Sequence, residues 1–225
     1  MTSKQTARIV GAFFLIAMVT SIAGGLWIQS ILDAPDYPAN LSTSKSQVTL
    51  AVLLELINGI SILGIAVFMY PVLRGRHPAL AMGYVGNRIV EAVTQVVGSI
   101  MPLALLTLDQ RFLQTGALDL PAFQALGGSL IAVRDQMLAV LGIFFCLGAL
   151  LFYTMLYQSR LVPRWISGWG FVAALLIGVS TLLGFFDISA GMLLALPIIL
   201  NEILMGIWLI VRGFEPSAVA SGQGK

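Results

Sequence analysis

Ten polar or ionisable residues lie within, or at the ends of, long apolar stretches of the sequence. They are Glu55, Asn58, Asn87, Arg88, Glu91, Gln95, Arg134, Asp135, Asn201 and Glu202. An ionisable side chain at the centre of a bilayer costs about 2.5–3.5 kcal/mol on insertion scales, so it needs a partner or a function. Carboxyl, guanidinium and amide groups at this depth can bind a ligand, hold a proton or form ion pairs. These ten residues are therefore the predicted ligand- or proton-binding site.

The spacing of three of these residues predicts a shared helix face. Arg88, Glu91 and Gln95 follow an i, i+3, i+7 pattern, which places them on one side of a helix. Glu91 lies about 16 Å from the predicted inner end of its span, near the membrane midplane, and Glu202 lies at a similar depth in the last span. The polar groups would be satisfied if their helices faced one common interior site.

The charge of this predicted site is unbalanced. Four carboxylates (Glu55, Glu91, Asp135 and Glu202) face two arginines (Arg88 and Arg134), which gives a net charge of −2 when all are ionised. A buried site with this charge is costly. Either one or two carboxyl groups carry a proton, or a cation or basic group occupies the site.

The same residues also have purely structural interpretations. Arg88 can extend to the inner interface, or it can pair with Glu91 only to fix helix packing. Arg134 and Asp135 can lie at the outer interface, and so can Glu55. The sequence leaves these alternatives open.

The elements that carry these residues follow from composition. Of 225 residues, 58% are hydrophobic and 10% are charged, whereas a soluble domain has about 25% charged residues. This excludes a soluble enzyme and a disordered chain, and a formal charge of +2 gives no footprint for nucleic acid. We predict an all-α fold: a single membrane domain with six transmembrane helices in a bundle.

The predicted spans cover residues 7–30, 47–70, 80–106, 130–157, 164–186 and 189–211. Residues 107–129 are predicted to be the longest loop, with a short interfacial helix that Asp119 caps, and residues 212–225 a short polar tail. Lys and Arg in the loops set the orientation. One side holds Lys4, Arg8, Arg74, Arg76, Arg160, Arg164, Arg212 and Lys225, and the other holds Lys45 and Arg111. We therefore expect both termini in the cytoplasm and a multi-pass protein of the inner (plasma) membrane.

Several kinds of chemistry lack their residues. The chain has one histidine, His77, and one cysteine, Cys146, so histidine-based zinc or haem sites and an intramolecular disulfide are excluded. The sequence contains neither a Gly-x-Ser-x-Gly nucleophile motif nor a phosphate-binding G-x-x-x-x-G-K-[ST] loop. We expect no metal and no cofactor.

The sequence resembles a family of small bacterial six-helix membrane proteins, catalogued as domain of unknown function number 4386. The resemblance runs from about residue 7 to residue 217, and Asn87 departs from it where the family often has a bulky residue. Because the family has no assigned activity, the resemblance implies the fold and the importance of the quoted residues. These are residues 7–11 (ARIVG), 83–92 (GYVGNRIVEA), 134–135 (RD), 163–168 (PRWISG), 201–202 (NE) and 208–217 (WLIVRGFEPS).

Three functional interpretations are compatible with the sequence. The leading one is an integral membrane protein whose buried carboxylate and arginine site binds a small molecule, lipid or cation, as in a proton- or cation-coupled carrier. The alternatives are a non-catalytic membrane subunit or regulator, and an intramembrane acid–base enzyme for a lipid-like substrate. The expected partners are the lipid bilayer, such a ligand, and a further copy of the chain, with no nucleic acid.

Overall fold

The computed structural model describes residues 2–32, 41, 44–115, 120–186, 188, 192–216 and 218. Within these residues the fold is all-helical, with six α-helices and no strand, so the predicted fold class is confirmed. The helices are α1 (Ser3–Leu32), α2 (Lys45–Leu73), α3 (Pro78–Thr115), α4 (Leu120–Ser159), α5 (Arg164–Gly184) and α6 (Leu196–Val211). Helices α1 to α5 are long and apolar enough to cross a membrane.

The structure corrects the predicted loop at residues 107–129. Helix α3 continues to Thr115 and α4 already begins at Leu120, so the described residues of this segment are helical. Residues 107–115 contain Leu, Gln and Arg but no Gly or Pro, and such residues sustain a helix. Residues 120–129 form the first turns of α4 and not a separate interfacial helix, while the predicted cap Asp119 lies outside the described residues.

The last helix is shorter than predicted. The expected span was 189–211, but α6 has 16 residues and follows a 3-10 turn at Met192–Leu194. Pro197 lies in the first turn of α6, the one place where a missing backbone N–H is tolerated, so it fixes the start of the helix. Sixteen residues span about 24 Å, less than the bilayer's hydrocarbon core. Helix α6 therefore does not reach along the outer turns of α1 and α5.

The helices form a ring in chain order. Each helix packs against the next one, and α6 closes the ring against α1. Two glycines allow this closure: a Cβ atom at Gly11 would lie 2.6 Å from the carbonyl oxygen of Gly206. Small residues let helix backbones approach in this way. A ring of six helices leaves an interior that every helix can line.

One end of the ring, here called the basic end, holds the start of α1, the α2–α3 and α4–α5 turns and the residues after α6. The Glu215 amide donates a hydrogen bond to the Leu161 carbonyl at 2.9 Å, and the Arg76 guanidinium donates one to the Ala218 carbonyl. Its described basic residues are Lys4, Arg8, Arg74, Arg76, Arg160, Arg164 and Arg212. Both ends of the described chain thus share one side, and the cytoplasmic location of that side stays a prediction.

The larger of two apolar cores lies in the half of the ring nearest the basic end, and a smaller one joins α1, α2 and α3 at the opposite end. Phe14, Tyr84, Phe152 and Met205, from four different helices, are buried together in the larger core. The rings of Tyr84 and Phe152 stack with their centres 5.3 Å apart. This packed half forms the floor under the polar residues of α3.

Candidate functional site

Helix α3 presents one buried polar face to the interior of the ring. Arg88, Glu91, Gln95 and Ser99 all lie on it, and each side chain is at most 5% exposed. Their spacing of three and four residues keeps them on one side of the helix, as the sequence predicted for the first three. The face therefore extends over three turns through the middle of the bundle.

An ion pair occupies the lower part of this face. Arg88 Nη1 lies 2.8 Å from both carboxylate oxygens of Glu91. The Arg88 guanidinium carbon also lies 5.2 Å from the centre of the Tyr84 ring and 5.8 Å from that of Phe145. Aromatic faces attract a cation, so the two rings stabilise the buried guanidinium. Arg88 is thus held inside the bundle by a carboxylate and two rings.

Gly148 on α4 makes room for this arrangement. A Cβ atom there would lie 2.6 Å from Asn87 Nδ2 and 3.3 Å from Arg88 Nε. Asn87 Nδ2 donates a hydrogen bond to the Phe144 carbonyl at 2.7 Å. Because each Cβ in a helix leans towards the N-terminus, a side chain at position 148 would cover the carbonyl four residues earlier. The glycine leaves that carbonyl open to Asn87.

A second ion pair joins α2 and α4. The Arg134 guanidinium pairs with the Glu55 carboxylate, and Ser99 Oγ donates a hydrogen bond to Glu55 Oε2 at 2.7 Å. Arg134 Nη1 also donates to the Gly98 carbonyl at 3.1 Å. That carbonyl lacks its usual helical donor because Pro102, four residues on, has no N–H. The proline in α3 therefore supplies an acceptor for a buried arginine.

A cavity of about 290 Å³ lies inside the ring, and all six helices line it. Its inner part is lined by the buried side chains of Met18, Asn58 and Gln95 and by the Arg88–Glu91 pair. Towards the end of the ring opposite the basic end its lining is half-buried or exposed and mostly apolar, from Ile22, Leu138, Gly142, Ile177, Ala195 and Ile199. The short α6 begins at this level. The cavity therefore combines a polar floor with apolar walls.

Glu202 of α6 lines this cavity opposite the ion pair. Its side chain is half-buried, and within the described part of the chain it makes no hydrogen bond and no salt bridge. It interacts electrostatically with Arg88 and Glu91. Arg88 is already bound by Glu91, so Arg88, Glu91 and Glu202 together carry a net charge of −1 when ionised. Glu202 is the carboxylate that a positively charged ligand would meet.

The structure separates the ten predicted residues into distinct groups. Five of them line the cavity: Asn58, Arg88, Glu91, Gln95 and Glu202. Glu55 and Arg134 neutralise each other away from its lining, and Asp135 is exposed, so the formal charge of the cavity residues with all groups ionised is −1, where the ten predicted residues together gave −2. Asn87 binds the Phe144 carbonyl and Asn201 donates to the Ile166 carbonyl at 2.9 Å, so both amides connect helices.

Three buried residues near the site are not among the ten predicted site residues. Tyr84 lies one helical turn before Arg88, and Ser99 one turn after Gln95, so extending the same spacing would have found both. Tyr153 of α4 is 1% exposed and interacts electrostatically with Glu202. Its position near Glu202 depends on how α4 is rotated within the ring, which no spacing reveals.

Among the residues that the structure describes, no three His, Cys, Asp or Glu side chains are close enough to hold a metal ion together. His77 lies in the α2–α3 turn at the basic end. The described cavity instead offers one unpaired carboxylate, one neutralised ion pair and two amides within apolar walls. This set of groups can bind an organic cation or exchange a proton.

Comparison with known proteins gives one match. No curated protein and no solved structure matches the chain. The family described as a domain of unknown function, number 4386, matches residues 9–213, which include α1 from its second turn and all of α2 to α6. The match covers most of the sequence, as the resemblance of the quoted motifs implied. The chain therefore belongs to the family known as domain of unknown function 4386.

Proposed function

We propose that this membrane protein binds a small organic cation with an apolar body in its cavity, with Glu202 as the counter-ion. One observation carries the proposal: Glu202 faces the cavity without a hydrogen bond or salt bridge in the described structure. A ligand with a positive charge would supply the missing partner. An anionic ligand would meet a cavity whose net charge is already −1.

The energetics favour a cation at this position. Two unit charges 4 Å apart attract by about 4 kcal/mol at an effective dielectric constant of 20. Arg88 does not neutralise the Glu202 carboxylate in full, because Glu91 already holds Arg88 Nη1 at 2.8 Å. A bound cation would therefore gain most of its electrostatic stabilisation from Glu202.

The walls of the cavity favour an apolar body next to the charge. Ile62, Ile65 and Ile198 line it, and the residues at its more exposed part are mostly apolar. Its volume of about 290 Å³ is just below the usual range for ligand sites, roughly 300–1,000 Å³. The ligand would thus be a small amphipathic cation, with its charge at the floor and its apolar part towards the more exposed part of the cavity.

The same carboxyl group supports a carrier function. A proton and an organic cation compete for the Glu202 carboxylate, since each neutralises it. Binding of the cation would release the proton, and loss of the cation would allow protonation. The protein would then exchange one proton for one monovalent cation across the membrane.

Binding is tested by titration calorimetry of the protein in nanodiscs, with phenyltrimethylammonium as the cationic probe and 3-phenylpropionate as an anion of similar size. The wild type should bind the cation and not the anion. Glu202→Gln should weaken binding at least about tenfold, because it removes the counter-charge but keeps the shape. Asp135→Asn is the matched control: it removes an exposed carboxylate and should change affinity less than about twofold.

Three outcomes would overturn the proposal. They are equal affinity of the wild type and Glu202→Gln, equal affinity for the two probes, and no binding of the cation by the wild type. The last outcome would favour the non-catalytic subunit, which needs no ligand in the cavity. Capture of partner proteins would then be the next experiment.

A further inference from the structure

A groove lies between α4 and α5 at the basic end, separate from the central cavity. Its walls are Tyr153, Thr154, Tyr157 and Gln158 of α4, and Gly168 and Phe171 of α5. Its volume is about 320 Å³. Tyr157 and Phe171 are exposed at its rim, and both helices are apolar enough to cross a membrane. The groove therefore opens to the outside of the ring, where acyl chains surround a membrane protein.

Gly168 gives the groove its depth. A Cβ atom at this position would lie 3.8 Å from Cε2 of Tyr157, so it would point into the space between the two helices. A larger side chain at this position would fill the groove and close it. The narrow apolar shape suits an unbranched hydrocarbon chain.

The positively charged side chain of Arg164 lies beside the groove, at the basic end of the ring. The guanidinium carbon of Arg164 is 5.1 Å from the centre of the Tyr157 ring, and its side chain is exposed. Arg164 forms no salt bridge with any described residue. Glu215 is the one acidic residue among the described residues of this end, against the seven Lys and Arg residues that define it. The charge around the groove is therefore complementary to an anion.

We propose that this groove binds one acyl chain of an anionic phospholipid, whose phosphate pairs with Arg164. A guanidinium donates strong hydrogen bonds to phosphate oxygens. The excess of basic residues attracts anionic headgroups to this side of the protein. Tyr157 connects the phosphate site with the acyl-chain site, since its ring contacts Arg164 and also lines the groove. The site is independent of the central cavity and of Glu202.

Native mass spectrometry of protein released from nanodiscs tests this site. The nanodiscs contain equal amounts of phosphatidylglycerol and phosphatidylcholine, and the retained lipids are counted by mass. Arg164→Gln should lower the ratio of bound phosphatidylglycerol to phosphatidylcholine at least about threefold. Arg212→Gln removes another exposed charge at the same end, from a residue that does not line the groove, and should leave the ratio near the wild-type value.

A second pair of variants tests the groove without changing the charge. Gly168→Leu should abolish the retained phosphatidylglycerol, because leucine would occupy the space of the chain. Gly83→Leu is its control, since Gly83 is exposed near the start of α3 with nothing within 4 Å of its Cβ position. Unfolding temperatures identify any variant that fails to fold, in which case the other pair decides.

The proposal is overturned if Arg164→Gln and Arg212→Gln retain the two lipids in the same ratio, or if Gly168→Leu retains phosphatidylglycerol as the wild type does. Excess inorganic phosphate should not displace the lipid, because phosphate lacks the chain that fills the groove. Displacement by phosphate alone would assign a site for a free anion and overturn the lipid site.

Discussion

The charged side chains in the interior of this protein differ in their interaction partners. Arg88 has Glu91 and two aromatic rings, and Glu55 has Arg134 and Ser99, whereas Glu202 has no such partner among the described residues. A satisfied ion pair is structural in the first instance, since removal of either member leaves the other buried and unpaired. An unpaired carboxylate at a cavity is the group that remains available to a ligand or a proton. The two ion pairs are therefore assigned a structural role, and Glu202 is the candidate for function.

This distinction predicts a specific order of stabilities. Glu91→Gln should lower the free energy of unfolding by about 3–5 kcal/mol, because Arg88 would remain buried without its counter-ion. The double variant Arg88→Met with Glu91→Leu should be more stable than that single variant, because neither member of the pair is then left buried without its partner. Thermal unfolding of the purified proteins in detergent measures the order.

Glu202→Gln serves as the comparison, since Glu202 has no ion pair to lose in the described structure. It should unfold at or above the wild-type temperature. A double variant less stable than Glu91→Gln would contradict the assignment of the Arg88–Glu91 pair as a structural ion pair.

At the scale of the helices, side chains reach across to carbonyl groups that glycine or proline leaves open. Asn87 binds the Phe144 carbonyl, four residues before Gly148, and Arg134 binds the Gly98 carbonyl, four residues before Pro102. A helix normally offers few free carbonyl groups along its middle, because each accepts an internal bond. These two positions fasten α3 to α4 at two levels.

Because of these contacts, we expect a single methyl group added at Gly148 to have a large effect on stability. Gly148→Ala should destabilise the protein by about 1–3 kcal/mol, because the new Cβ would displace Asn87 and crowd Arg88. It should also weaken binding of phenyltrimethylammonium, since the Arg88–Glu91 floor would shift. Unfolding and the same calorimetric titration measure both effects.

Gly86→Ala is the matched control on α3, where nothing lies within 4 Å of the Cβ position. Alanine favours a helix over glycine by about 1 kcal/mol, so this variant should be as stable as the wild type or more stable. Equal stability of Gly148→Ala and Gly86→Ala would show that the contact between α3 and α4 tolerates a side chain there.

The sequence predicts the helices well because each helix is determined by the composition of its own segment. Long apolar stretches between breakers and charges define spans, and each of the six predicted spans contains a helix. The ends were less accurate: α6 begins at Leu196 because Pro197 sets its first turn, and α3 extends past the predicted loop start to Thr115. Composition alone does not fix where a helix leaves the membrane.

The site was predictable only on a single helix. Spacing alone placed Arg88, Glu91 and Gln95 on one face of α3. Adjacent residues such as Asn201 and Glu202 differ by about 100° around a helix of 3.6 residues per turn, so one contacts α5 and the other lines the cavity. Which of them faces inward depends on the rotation of α6 against its neighbours, and the one-chain pattern does not specify it.

At the scale of the whole molecule, the larger apolar core lies at the basic end, a smaller one joins α1, α2 and α3 at the opposite end, and the cavity lies inside the ring. The residues after α6 connect with the α4–α5 and α2–α3 turns and so cover the basic end. By sequence, the segments that join helices at the opposite end contain Asp33, Asp36, Asp119 and Asp187, which outnumber Lys45 and Arg111, the two basic residues expected on that side. Negative charge at that end would raise the local concentration of a cationic ligand.

The proposed exchange predicts proton movement in proteoliposomes. Phenyltrimethylammonium added outside should make the lumen more alkaline, because each entering cation would replace one proton on Glu202. A permanently charged probe cannot carry a proton across the lipid by itself. A pH-sensitive dye trapped inside measures the change, and lowering the external pH should slow uptake, since protons then compete for the carboxylate.

Glu202→Gln should abolish the alkalinisation, whereas Asp135→Asn should preserve it. Uptake of the cation without proton release would contradict the coupling but not the binding site. Proton release of equal size in empty liposomes would contradict both the coupling and the assignment of transport to this protein.

The closure of the ring by α1 and α6 has a consequence for biosynthesis. Of the six helices α1 is made before the others and α6 after them, so α1 lacks one of its two main neighbours until α6 has left the ribosome. The surface around Gly11 must meanwhile be covered by lipid or by the insertion machinery. Glu202 arrives with α6, so the cavity acquires its unpaired carboxylate only after the other five helices have been made. A chain that stops before α6 would then expose α1 to quality control before any ligand site exists.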